Sequence, residues 1–182
     1  MAGRLLVATP AIEGEIFRRS VVLLIHHGND GAHGLVLNKP LRVGVDRILP
    51  GWQEHLTAPG RLFQGGPVGL DTALALASVP GAGKDPLGVH RVFGSLGVVD
   101  LDAPPVLVMP EVGDLRIFAG YSGWSGGQLE AEIADGSWYV VPHEPRDPFT
   151  PDPDRLWQAV LRRQPRQLSW VCLLYTSDAA DE

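Results

Sequence analysis

Short apolar runs, several rich in β-branched residues, alternate along this chain with segments dense in glycine and proline. Within residues 20–26 (Ser-Val-Val-Leu-Leu-Ile-His) the five from Val21 to Ile25 are apolar at consecutive positions, the pattern of a strand covered on both faces. Residues 34–37 supply a partner strand. The intervening His27-Gly28-Asn29-Asp30-Gly31 is dense in turn formers, so the two runs read as a hairpin. Further strands are expected at 5–8, 61–64, 74–79, 89–93, 96–101 and 137–141. Residues 106–109 are apolar but too short to assign. A short helix is expected at 43–49, ahead of Pro50-Gly51. Another is expected at 154–164, where Leu156, Trp157, Val160 and Leu161 share one face. Asp154 opens that helix and Arg162-Arg163 closes it, as the helix dipole prefers. Residues 52–60, 80–88 and the proline-rich 143–153 read as loop.

The pattern pivots on Gly120-Tyr121-Ser122-Gly123-Trp124-Ser125-Gly126-Gly127. The apolar run 115–119 feeds into this stretch and a helical pattern, 128–134, leaves it. A strand, a tight glycine-rich turn and a helix are therefore expected, with the glycines bending the backbone and Trp124 filling core. Many short strands with two or three helices, not in strict alternation, predict an α+β fold over a doubly wound sheet.

Composition narrows the function classes. The 182 residues are 45% hydrophobic and 20% charged, as expected of one packed domain, here residues 1–171. A net charge of −6 argues against a dedicated nucleic-acid binder. No apolar run approaches the roughly 18 residues that a membrane span needs. The opening Met1-Ala2-Gly3-Arg4 is followed at once by a strand pattern, so cytoplasmic residence is the expectation. The one cysteine, Cys172, offers no internal disulfide and no cysteine metal cluster. Residues 172–182 read like a translated sequencing adapter and are expected to be a non-native tail.

Four pieces stand in a recognisable order: Leu6-Val7-Ala8-Thr9-Pro10, Gly34-Leu35-Val36-Leu37-Asn38-Lys39-Pro40, Gly65-Gly66-Pro67-Val68, and Gly120-Tyr121-Ser122-Gly123-Trp124 with Gly127-Gln128-Leu129-Glu130 and Glu132. Together they resemble the AlgH/YqgE family of bacterial proteins over nearly all of residues 4–171. The resemblance implies an α+β fold with a bifurcated mixed sheet that curls into a small barrel flanked by helices. Members carry the name of transcriptional regulators, after one linked to alginate production. No settled activity and no cofactor comes with that name.

Candidate chemistry is sparse. Gly123-Trp124-Ser125-Gly126-Gly127 matches G-x-S-x-G between a strand and a helix, the context of a hydrolase nucleophile elbow. His90 or His143, with Asp147 or Asp152, would have to complete it. The family resemblance implies a residue without a hydroxyl at Ser125, which argues against a nucleophile. Gln128, Glu130 and Glu132 suit the start of a helix, and Glu130 is also a candidate base or inward hydrogen-bond partner. Lys39, one of two lysines with Lys84, is a candidate holder of an anionic ligand. Asn38 is expected to order its turn, and Gly65-Gly66 to offer backbone amides. His26, His27 and His33 lack metal-ligand spacing. The pairs Arg18-Arg19 and Arg162-Arg163 read as solvated surface. The expectation is a non-enzymatic domain acting through a protein or small-molecule contact, with no cofactor; the alternatives are a hydrolase using Ser125 and, disfavoured by the net charge, direct nucleic-acid binding through arginine-rich loops. Its ligand would lie among Asn38, Lys39, Gly65, Gly66, Trp124, Gln128 and Glu130.

Overall fold

The structure, a computed structural model, describes residues 1–81 and 84–165. The expected domain end at Val171, Cys172 and the tail at 172–182 lie outside these residues. The elements run β1 (Arg4–Ala8), β2 (Val21–Gly28), β3 (Gly31–Val36), β4 (Phe63–Gln64), β5 (Val68–Ser78), β6 (Val89–Phe93), β7 (Leu96–Val99), α1 (Pro105–Val108), β8 (Leu115–Ser125), α2 (Gln128–Ala134), β9 (Trp138–Pro142) and α3 (Leu156–Arg162). The strands form one sheet in the order β6-β7-β5-β8-β3-β2-β1-β9, with β4 paired to β8 off that path. The named strand pairs are antiparallel, save that β4 runs parallel to β8.

The sheet is covered on both faces, which is why its strands read as continuous apolar runs. Side chains alternate along a strand with period two. Leu5 and Val7 of β1, with Val21 and Leu23 of β2, meet Leu156, Trp157, Val160 and Leu161 of α3 in one core. Leu6 and Ala8, with Val22 and Leu24, turn to the other face and pack with Trp124, Leu129 of α2 and Trp138. A third core joins Val45, Trp52, Val108, Ile117 and their neighbours beyond β8. A fully buried Leu or Val contributes about 1.5–3 kcal/mol, so these three clusters hold the curled sheet shut.

β8 is the strand shared by the two halves of the sheet. Residues Leu115–Ala119 pair with β5, and Phe118 and Ala119 also with β4, whereas Ser122–Ser125 pair with β3. The register with β5 jumps between Val68 and Ala73 across Gly120, whose φ is +70°. The bifurcation thus sits at a bulge that a glycine makes possible.

Several expectations need correcting. The stretch 120–125 is strand, not turn; the turn is confined to Gly126-Gly127, ahead of α2. Gly120 serves the close passage of the chain at 65–66 as well as the bend. Residues 43–49 form turns and no helix. There the Val45 N–H is taken by Gln53 Oε1 at 2.6 Å, and a seven-residue run holding Gly44 and ending at Pro50 is a weak helix nucleus. Residues 106–109 belong to α1 and a 3-10 turn, Met109–Glu111. The loop 143–153 holds 3-10 turns at Asp147–Phe149 and Pro153–Arg155, the first of them buried.

One cation lies inside among the described residues. Arg116 of β8 is 1% exposed, its guanidinium 4.4 Å from the centre of the Phe63 ring. It donates to the Pro148 carbonyl at 3.1 Å and the Ala58 carbonyl at 2.6 Å. Burial pushes its pKa down to about 10. It ties two loops to the sheet.

Candidate functional site

The connection from β1 to β2, residues 9–20, crosses above α3. Arg19 takes a left-handed conformation with φ +54°, and Ser20 hydrogen bonds to the Phe17 carbonyl through both its N–H and its hydroxyl. That turn is locked by the residues that follow β3. Asn38, 8% exposed, accepts the Val21 N–H on Oδ1 at 3.0 Å and donates from Nδ2 to the Arg19 carbonyl at 2.9 Å. Lys39 Nζ donates to the Arg18 carbonyl at 2.9 Å. Asn38 and Lys39 thus hold the backbone of both arginines.

Trp157 of α3 forms the floor. Its indole N–H donates to the Ala8 carbonyl at 2.9 Å, and the Arg19 guanidinium lies 5.3 Å from its ring centre. Two hollows, of about 450 and 420 Å3, share Gly14, Arg18, Arg19 and Trp157. A third, about 460 Å3, runs on past Asn38 and Lys39 toward Arg42, Arg61 and Gln64. Five cations (Arg18, Arg19, Lys39, Arg42, Arg61) face three carboxylates (Glu13, Glu15, Asp154) along this groove. A chain of net charge −6 therefore has a locally basic groove. Burial, then the charge of Arg18, lowers the pKa of Lys39, and Asp154 opposes them.

The start of α2 is a second polar centre, with its bonds satisfied internally. The Ser125 N–H and hydroxyl both donate to Gln128 Oε1, at 3.0 and 3.2 Å. Gln128 donates in turn to Glu132 at 2.9 Å. The indole N–H groups of Trp124 and Trp138 converge on Glu132 Oε1 at 3.1 and 3.0 Å. Glu130 pairs with His27 at 2.5 Å, and that hydrogen bond draws its pKa below the ordinary carboxylate value. The inward hydrogen-bond partner on α2 is thus Glu132, two residues beyond the position singled out in the sequence.

The seven expected site residues fall in three places. Asn38 and Lys39 line the groove. Gly65 and Gly66 press against β8: a Cβ on Gly65 would stand 2.5 Å from the Gly120 carbonyl oxygen, and one on Gly66 would overlap the Tyr121 backbone. The Gly65 carbonyl already accepts the Val36 N–H and the Ser122 hydroxyl. Trp124, Gln128 and Glu130 belong to the α2 centre. The hydrolase groups have other partners than Ser125: His90 faces Asp85, His143 bonds the Gly3 carbonyl, Asp147 pairs with Arg163 and Asp152 with Arg155. Among the described residues, no three His, Cys, Asp or Glu side chains are grouped as metal ligands. No helix among them is long and apolar enough to cross a membrane. Arg18, Arg19, Asp154 and Trp157 went unrecognised in the sequence, where the arginines read as surface and the tryptophan as core. Only Asn38-Lys39 signalled the place.

An α+β domain with a curled, bifurcated sheet and a groove at the β1–β2 connection is the class these features define. The chain belongs to the AlgH-like family, whose sequence profile matches residues 5–169. It is 53% identical over 174 residues to a UPF0301 protein of Streptomyces avermitilis, covering 94% of this chain and 90% of that one. It is 54% identical, with the same coverage, to UPF0301 protein SCO2948 of Streptomyces coelicolor. Among solved structures it is similar to protein DIP2367 of Corynebacterium diphtheriae (TM-score 0.86, 35% identity, 93% and 90% of the two chains). It is also similar to the AlgH protein of Pseudomonas aeruginosa in solution (TM-score 0.68, 27% identity, 93% and 92% of the two chains).

Proposed function

We propose that this chain is a non-catalytic binding domain that takes a small phosphate- or carboxylate-bearing ligand in the groove between the β1–β2 connection and α3. The observation that carries the reading is the use made of Asn38 and Lys39. Their side chains fix the carbonyls of Arg18 and Arg19, so the two arginines stand preorganised at one hollow, with Trp157 beneath. Arg18 makes no ion pair among the described residues, and a guanidinium fork suits an oxyanion better than a point charge does. A regulatory role, as the family's usual name implies, follows if ligand binding stiffens this connection and alters a surface that a partner reads. Direct contact with DNA is not needed for it.

The test is an NMR titration of the isotopically labelled chain with inorganic phosphate. The Trp157 indole signal and the backbone amides of Arg18, Arg19 and Ser20 should shift together and saturate. Arg18→Ala should weaken the affinity about tenfold, the worth of one charge-assisted hydrogen bond. Shifts that spread over other basic residues and leave Trp157 unmoved would refute the reading.

A further inference from the structure

The lysine in this groove has a geometry that the binding role alone does not use. Lys39 Nζ is bound to the Arg18 carbonyl at 2.9 Å, and its side chain lines a hollow with the Arg18 and Arg19 side chains, Asp154 and Trp157. The amine and the guanidinium groups thus face one solvent-filled space. A ligand whose anionic end rests on the arginines can present its other end to the amine. Lys84, the chain's other lysine, lies exposed in the loop before β6.

We propose that Lys39 is a modification site, acylated by an acyl phosphate whose phosphate group Arg18 and Arg19 hold. The proposal rests on the binding reading above and names the regulation of that same groove. In the step, the neutral amine attacks the acyl carbon. A C–N bond forms, the C–O bond to phosphate breaks, and inorganic phosphate leaves with the electron pair. The proton released from nitrogen goes to solvent or to the departing phosphate. No oxidant and no metal is required. Partial burial and the neighbouring Arg18 charge favour the neutral amine that the step needs, although a less basic amine is also a weaker nucleophile. The product amide removes a charge from the groove and lengthens the side chain into the hollow, so the acylated protein should bind phosphate more weakly.

The two lysines make the test internally controlled. The full chain is incubated with acetyl phosphate, and acetylation at Lys39 and Lys84 is followed by peptide mass mapping. Lys39 should be acetylated about tenfold faster than Lys84, as expected of an amine beside a bound donor. Inorganic phosphate should slow Lys39 and spare Lys84. Arg18→Ala should bring Lys39 down to the Lys84 rate, with circular dichroism confirming that the variant folds. Equal labelling of the two lysines, in a chain whose Trp157 signal still responds to phosphate, overturns the acylation and leaves the binding reading intact. Equal labelling without a phosphate response overturns both. Fast labelling of Lys39 that neither phosphate nor Arg18→Ala alters overturns the anion-guided step.

Discussion

Arg163, just beyond α3, reaches back to a carboxylate buried in the preceding loop. Its guanidinium meets Asp147 through both oxygens, at 2.8 and 2.5 Å, and Glu144 at 3.2 Å. Asp147 is 1% exposed, and its carboxylate also receives the Glu144 N–H at 2.7 Å. The Asp147 hydrogen bond raises the Arg163 pKa, so the guanidinium stays charged through the working pH range. Arg163→Met removes the cation and leaves the carboxylate buried with its backbone partner alone. Breaking a buried pair from one side costs about 3–5 kcal/mol. The Arg163 side chain is one-fifth exposed, so water can partly replace it and the lower figure, about 3 kcal/mol, applies. For a chain of this length the expected fall in Tm is roughly 6–12 °C. Asp147→Asn should cost less, because its amide oxygen still accepts the Glu144 N–H. The double variant should lie well above the sum of the two, since Arg163→Met leaves no buried charge behind once Asp147 is neutral. Thermal melts of the four proteins at pH 7 measure the cycle. Strict additivity, or a fall below about 2 °C in Arg163→Met, would show that the pair does not clamp the 143–153 loop to α3.

Three further outcomes are expected. His27→Ala should raise the Glu130 titration midpoint toward its ordinary value of 4.5, followed by carboxyl carbon NMR. The sign follows from the depressed carboxylate: its contribution to stability is present above 4.5 and fades as pH falls through the folded value, so the variant should lose that acid-side slope. Glu132→Ala strands the indole N–H groups of Trp124 and Trp138 and should cost about 2 kcal/mol, with a changed near-ultraviolet dichroism; an unaltered spectrum would deny the shared carboxylate. Gly127→Ala, at φ +81° with open space around it, should cost about 1 kcal/mol, whereas Gly66→Ala, whose methyl would enter the Tyr121 backbone, should not yield folded protein; similar melts for the two would contradict the close crossing at β8.

Where local pattern dominates, the sequence was legible. The apolar runs of β1 and β2, the helix at 128–134 and the amphipathic face of α3 each follow from side chains within one window. The reading failed where partners come from afar. The strand over 120–125 looked like a turn because its glycines resemble turn chemistry. For Gly120 the actual cause is the chain at Gly65-Gly66, which lies against it and Tyr121 and leaves no room for a Cβ. No window around residue 120 contains that neighbour. Residues 43–49 failed in the opposite sense: one helical turn closes from Leu49 N–H to the Val45 carbonyl, but Gly44 before it and Pro50 after it leave too short a run to extend.

The groove shows the same asymmetry. Asn38-Lys39-Pro40 looked like a strand ending with chemistry, and the carbonyls its side chains bind lie about twenty residues earlier. The Asn38 amide spans β2 and the Arg19 carbonyl in one step, and Lys39 takes the Arg18 carbonyl, so two adjacent side chains fix the backbone of both arginines. Arg116 makes the converse point. In Leu115-Arg116-Ile117-Phe118-Ala119 it is the one polar residue of an apolar run. The structure places it under two loop carbonyls and over Phe63. An arginine is solvated or structural according to which carbonyls the rest of the chain brings to it. That is decided by topology, and here the topology gives Arg116 to the interior and leaves Arg18 and Arg19 facing an open hollow.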